Sequence, residues 1–137
     1  MSNNSNLGQC GLTVLRIVVG IVFLLHGWQK VTVYHLEGVT GMLIGLGIPL
    51  PSVSAAILIT VELIGGAALI LGLGTRWVSW LLAFDMAVAI LTFHLKGGFF
   101  APMGIEFPLT LLAATICLAL AGPGSVALDS LIAKRAA

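Results

Sequence analysis

Charge is the scarcest commodity in this chain. Six Lys or Arg and five Asp or Glu are spread over 137 residues, 8% of the total. Soluble domains carry roughly 25% charged residues. So few charges cannot cover a water-facing surface, which excludes a soluble globular domain and points to an integral membrane protein. The formal net charge is +1, with no basic stripe, so nucleic acid is excluded as a partner. Only two cysteines occur, Cys10 and Cys117, far apart and with no C-x-x-C pair. A dithiol redox motif is therefore absent. Cys117, in an apolar run, is expected to be a small packing residue. The polar start M-S-N-N-S-N has no Lys or Arg, so it lacks the basic region of a secretory signal. The first apolar run is expected to be a retained helix.

What is present is hydrophobic: 59% of the residues are apolar. Four runs stand out, at about 12–33, 53–73, 77–95 and 107–121. A helix needs about 20 residues to cross the hydrocarbon core. The first three meet this, and the fourth is short. The expected fold is all-α, an integral membrane four-helix bundle forming one domain over 1–137. The turn at 72–76 is tight. The 34–52 connection holds Gly47, Pro49 and Pro51 and is expected to form a short amphipathic or re-entrant piece. The glycine-rich, aromatic 96–106 connection lies at the same end, and the two together make a candidate lid. Arg16, Arg76, Lys134 and Arg135 fall on the side of the termini, against Lys30 and Lys96 on the other. The bias places both termini in the cytoplasm. Small residues recur at four-residue spacing, at Ala68 and Gly72, Ala83 and Ala87, and Ala113, Cys117 and Ala121. Such rows are read as tight helix packing.

Against this background two carboxylates are conspicuous. Glu62 and Asp85 sit near the middle of spans two and three. An acid at bilayer depth costs roughly 2.5–3.5 kcal/mol by insertion scales, so it marks a polar centre. Span one adds Arg16, His26 and Lys30, which at about 100° per residue fall within one broad face. Glu62 is the candidate proton carrier and His26 a candidate acid–base partner. The competing reading is structural: Glu62 paired with Lys30, or Asp85 with Arg16. Of the two, Asp85 with Arg16 is taken as the structural ion pair. Gly65-Gly66 after Glu62 lets another backbone or a ligand come near. His94 turns away from Asp85 if the helix stays regular, but Gly97-Gly98 is expected to fray it into the lid. A bis-histidine haem on His26 and His94 is disfavoured, because the two lie at different depths. No spacing motif supports a metal site.

Six stretches carry a resemblance. H-G-W-Q-K at 26–30, V-E-L-I-G-G at 61–66, L-G-L-G-T-R at 71–76, H-L-K-G-G-F-F-A-P at 94–102, I-E-F-P at 105–108 and G-P-G-S-V-A-L-D at 122–129 are in order along the chain. Together they resemble the DoxX family of small bacterial membrane proteins. The resemblance implies four transmembrane helices in the bacterial inner membrane. It also implies association with redox systems: a subunit of thiosulfate:quinone oxidoreductase, and relatives linked to thiol stress, superoxide dismutase, or quinone and catechol detoxification. The matching positions are His26, Gly27, Gln29, Lys30, Glu62, Gly65, Gly66, Arg76, His94, Gly98, Phe99, Phe100, Glu106 and Pro108. Ser125 stands where the family often has arginine.

The functional expectation is a membrane subunit of a quinone-, thiol- or sulfur-linked redox system, with a quinone-type or other small ligand bound near the outer face. His26 and Lys30 would hydrogen-bond the ligand's carbonyl, with Glu62 passing protons. Trp28, Phe99 and Phe100 would stack on the ring, with Gln29, His94 and Glu106 completing the site. No residue type here carries electrons over distance, so a soluble or membrane oxidoreductase partner, or a bound cofactor, is implied. The alternatives are a non-catalytic scaffold for such an oxidoreductase and a small transporter or proton path, the latter requiring a homo-oligomer.

Overall fold

The computed structural model describes residues 2–136, with side chains described from 6 to 132. Every regular element in that range is helical. In hydrocarbon each backbone polar group must find its partner within the protein, and a helix does this within one segment. Helix α1 spans Ser2–Gln29 and passes into a π-helical turn, Lys30–Tyr34. Helix α2, His35–Gly45, follows, and then α3, Pro51–Leu71. Helix α4, Thr75–Ala89, is prolonged by a second π-helical turn, Ile90–His94, and a 3₁₀ turn, Leu95–Gly97. Helix α5 is Glu106–Ala121 and α6 is Leu128–Ala136.

The all-α membrane bundle agrees with the hydropathy. Three helical stretches, Asn6–Gly45, Pro51–Leu71 and Thr75–Gly97, are long and apolar enough to cross a membrane, and Glu106–Ala121 is a shorter apolar helix. Helix α1 packs most extensively on α3, and α4 on α5; α3–α4 and α1–α5 contacts close the ring. The core runs along its axis: Val19 and Phe23 from α1, Leu69 from α3, Leu82 and Met86 from α4, Leu111 and Leu118 from α5. The outside is apolar too. Phe84 is 73% exposed and Trp77 80%, as suits helices whose solvent is lipid.

The α1–α3 pair is closer than ordinary side chains allow. A Cβ on Gly66 would run into the backbone of Leu24, one on Gly20 would lie 2.8 Å from the Gly66 oxygen, and one on Gly27 would lie 2.7 Å from the Leu63 nitrogen. Of the glycine pair at 65–66, Gly66 serves the approach of the α1 backbone, whereas Gly65 faces the Val78 and Leu82 side chains of α4. The rows of small residues divide. Gly72 and Ala83 are buried, whereas Ala113, Cys117 and Ala121 all face outward from α5. Packing of the last row within the bundle, and of Cys117 with it, is not what the structure has. The reason is rotational: Leu111, Thr115, Leu118 and Ala119 take the inward face of α5.

The connections were only partly legible. The 34–52 segment contains helix α2, which buries Val39 and Leu43 against Ala55 of α3. Its first residue, His35, has φ 55° and ψ 171°. That region is almost reserved for glycine and costs about 1–3 kcal/mol for another residue. Helix α3 starts on Pro51, a residue suited to the first helical position. It ends in a Schellman motif at Gly72 (φ 70°), where Leu73 N–H donates to Ala68 O and Gly72 N–H to Leu69 O. Helix α6 was not expected at all. It latches the terminal end of the bundle. Asp129 accepts hydrogen bonds from Gly74 N–H at 2.7 Å and Thr75 N–H at 3.0 Å, capping α4, while its own N–H donates to Gly72 O. Thus L-G-L-G-T-R and G-P-G-S-V-A-L-D, distant in sequence, form one joint. The side chains of Lys134 and Arg135, counted above for orientation, lie outside those described.

Two substitutions test these joints. Gly66→Ala is expected to cost about 1–3 kcal/mol, since overpacking must push α1 off α3. Asp129→Ala is expected to cost about 1–2 kcal/mol through loss of a helix cap. Thermal or denaturant unfolding in detergent measures both. An unchanged midpoint for Gly66→Ala would contradict the close approach.

Candidate functional site

Three ionisable side chains meet inside the bundle, one from each of three elements. Lys30 opens the π-helical turn after α1. Its Nζ donates to Glu62 Oε2 on α3 at 2.5 Å. Glu62 is 3% exposed. Asp85 of α4 adjoins the Glu62 carboxyl and lies within the field of Lys30, and its Oδ2 is buried with no hydrogen-bond partner among the described residues. The glycines explain the reach. Gly27 lets α1 lie against Leu63, so that Lys30, one turn further on, meets Glu62.

The chemistry follows from the count. There is one ammonium for two carboxyls. Unpaired charge in a low-dielectric interior is costly, and the cluster is balanced when one of the two carboxyls holds a proton. Such a group can take up and release a proton without moving a helix. Lys30–Glu62 is the ion pair found among the described residues.

Arg16 and Asp85 do not come together. Arg16, 1% exposed, is at the terminal end, where its Nη2 donates to Val126 O at 2.5 Å and Asp129 provides the nearby negative charge. Asp85 is ten residues along α4 from the Thr75 cap, a rise of about 15 Å, so depth alone keeps them apart. Asp85 belongs with Glu62 and Lys30 instead. His26 also departs from the expected common face. Its ring is exposed and stacks on Phe107 of α5, with centroids 5.9 Å apart.

The remaining candidates lie at the lid end without converging. Trp28 is 58% exposed, and Gln29 is exposed as well. Phe99 and Phe100 pack edge-to-face at 5.3 Å, on each other, and both are exposed. Glu106 Oε1 accepts from Ala101 N–H at 2.7 Å, bracing the loop before α5. His94 is carried by the second π-helical turn to that loop, where its Nδ1 pairs with Met103 O at 3.0 Å. An open groove of about 310 Å³ lies on the outer surface between the first π-helical turn, α2 and α3. It is lined by Val31, His35, Leu36, Ala56, Ile59 and Thr60. No group of three or more His, Cys, Asp or Glu among the described residues is placed to hold a metal ion.

The sequence reading missed His35, Thr60 and Asp129. Asp129 stood in a quoted motif, but nothing in its spacing announced a cap for a helix 55 residues earlier. His35 lies beyond a π-helical turn, which changes the register that a regular helix would give.

Comparison with known proteins adds to this geometry. The DoxX family model matches residues 11–95, from α1 through the end of α4 and over all three charges of the cluster. The chain belongs to the DoxX family. Within it, the chain is 38% identical over 127 residues to a Bacillus subtilis protein named Putative oxidoreductase CatD, covering 92% of this chain and 90% of that one. It is 35% identical over 139 residues to an uncharacterized protein of Haemophilus influenzae, covering 98% of this chain and 100% of the relative. It is 28% identical over 124 residues to the inner membrane protein YphA of Escherichia coli, covering 86% of this chain and 87% of that one. No solved structure matches the chain.

The cluster in this DoxX protein makes an ordered prediction. Lys30→Met leaves two carboxyls and no cation, whereas Glu62→Gln leaves Lys30 with Asp85. Lys30→Met is expected to be the more destabilising, by about 3–5 kcal/mol as for other broken buried pairs. Lys30→Met combined with Glu62→Gln should recover part of that loss. Unfolding midpoints of the three variants check the order, and equal losses would contradict it.

Proposed function

We propose that this DoxX protein is a membrane subunit of a redox system, in the bacterial inner membrane, that binds a quinone-type ligand at the lid end and exchanges protons with it. The observation that carries this reading is the Lys30–Glu62–Asp85 cluster, one cation with two carboxyls inside the bundle and one carboxyl oxygen without a hydrogen-bond partner among the described residues. A quinone changes its proton count with its redox state, and a positioned carboxyl or imidazole suits that exchange. Glu62 and Asp85 hold the proton. Lys30 keeps the pair charge-balanced. His26, exposed beside Phe107, exchanges protons with the outer side. The apolar groove between the first π-helical turn, α2 and α3 offers a lipid-facing surface against which a ring could lie. Electrons come from a partner oxidoreductase. The name of the Bacillus subtilis relative supports an oxidoreductase setting, and the Escherichia coli names support the inner membrane. Arg16, Arg76, Lys134 and Arg135 on the side of the termini, against Lys30 and Lys96 at the other end, favour the cytoplasm for both termini.

Purified protein is expected to bind a short-tailed benzoquinone, with Glu62→Gln and Asp85→Asn each weakening binding or proton-coupled reduction by about tenfold or more. His26→Ala should slow the exchange with less effect on binding. Wild-type behaviour in all three variants would sink the assignment.

A scaffold that anchors a soluble oxidoreductase is the second reading. It is favoured by Glu106 and Asp129, whose carboxylates both brace backbone. It predicts that affinity capture from the native membrane recovers a partner, and that Glu62→Gln lowers stability without changing ligand binding.

A further inference from the structure

The five Asp and Glu of the chain are all accounted for without Arg76. Glu62 is paired with Lys30, and Asp85 adjoins it. Glu106 accepts from Ala101 N–H, and Asp129 from Gly74 and Thr75 N–H. Glu37 is in the first turn of α2, at the lid end. Arg76, in the first turn of α4 at the terminal end, is exposed and makes no ion pair among the described residues. Its neighbour is Gly122, just past the end of α5, at φ 96°. A Cβ there would lie 3.3 Å from Arg76 Nη2 and 3.4 Å from Nε, so a larger residue would crowd the donor edge of the guanidinium. An open groove of about 190 Å³ lies where α4 meets α5, lined by Arg76, Trp77, Trp80 and Ala119. Ala119 is buried and forms its floor, while both indoles are exposed. Trp80 is one turn, about 6 Å, further into the span than Arg76. The outward face of α4 then continues through Leu81 and Phe84, both exposed.

The surface therefore presents a cation at the rim of the span, indoles just below it and an apolar track leading into hydrocarbon. That order of chemistries is the order within a phospholipid. The planar guanidinium donates to phosphate oxygens in pairs. Indoles settle at headgroup level, where the ring meets the chains and the N–H meets polar groups. Basic pockets between spanning helices suit anionic headgroups, which balance the charge that the protein leaves open. We infer that this groove is a binding site for an anionic phospholipid, with its phosphate on Arg76 and an acyl chain laid over Trp80 toward Ala119. The inference goes beyond the redox reading and does not depend on it. A free phosphate would satisfy the arginine but leave the apolar track unused. An arginine that is merely hydrated would favour no lipid over another.

The tryptophans supply the readout. The chain has three, of which Trp77 and Trp80 line the groove, so full-length protein carrying Trp28→Phe reports from the groove alone. It is reconstituted in phosphatidylcholine bilayers that contain a small fraction of phosphatidylglycerol brominated on its acyl chains, which quenches indole fluorescence on contact. Brominated phosphatidylcholine at the same fraction is the reference. The anionic lipid is expected to be favoured at the groove about fivefold or more, the effect of one basic residue at a membrane surface. Arg76→Gln should abolish the preference with little change in unfolding temperature, since the side chain is exposed. Arg76→Lys keeps the charge but not the paired donation, and should keep an intermediate preference. Equal quenching by the two lipids with Arg76 intact would overturn the inference, and that comparison needs no variant at 76. So would an undiminished preference in Arg76→Gln. Displacement of the brominated lipid by millimolar inorganic phosphate would assign the site to a soluble anion and overturn it as well.

Discussion

The close approach of α1 to α3 is the constraint on which the rest depends. In lipid, helices gain little from hiding apolar side chains, because the surroundings are equally apolar, and association relies on contact between surfaces. Gly20, Gly27 and Gly66 remove the side chains that would hold the two backbones apart. The consequence is first mechanical, an α1–α3 pair that shares much backbone contact. It is then electrostatic, because Lys30 arrives beside Glu62. With the two helices spread by a methyl group at each crossing, the lysine would have to stretch further through hydrocarbon, and the carboxyl would sit beside Asp85 without a cation.

The second organising feature is the separation of charge into levels. Lys30 lies toward the lid, with Glu62 and Asp85 near mid-span. Arg16 and Asp129 occupy the terminal end. Between them lies an apolar belt made of Val19, Phe23, Leu69 and Leu82. The two levels do different work. At the terminal end Asp129 spends both oxygens on backbone N–H groups and Arg16 donates to a carbonyl, so those charges join chain segments. At mid-span Lys30 pairs with Glu62 beside Asp85, and each level keeps buried polar atoms without a hydrogen-bond partner among the described residues, Arg16 Nε and Nη1 at one and Asp85 Oδ2 at the other. The split explains why a pairing of Arg16 with Asp85 fails although both are buried charges on inner faces.

Much of the fold was legible because hydropathy in a membrane is a coarse and strong signal. Runs of about 20 apolar residues have few alternatives to a spanning helix. The glycines at 65–66 announced a near neighbour, which for Gly66 proved to be the α1 backbone. What escaped the sequence depends on register or on contact order. His26 was placed by regular helical angle, which says nothing about how far α5 wraps toward it; Phe107 decides its setting. His35 and His94 sit in or just after π-helical turns, where five-residue hydrogen bonding shifts every following side chain. Glu106 looked like a ligand-facing acid, yet the Ala101 N–H claims it. Glu62 was read correctly as near Lys30. Asp85, expected to pair with Arg16, lies about 15 Å of helix rise from the α4 start at which Arg16 and Asp129 sit.

The Asp129 cap has a consequence in time. Chains enter a membrane from the N-terminus onward, and α4 is complete 40 residues before Asp129 is made. Until then the amide groups of Gly74 and Thr75 have only water or lipid headgroups to face. The interior charges, by contrast, can meet as soon as α4 is inserted. The Lys30–Glu62–Asp85 cluster is thus assembled early and the terminal joint late, which makes α6 a lock that engages only after the apolar helices have been made.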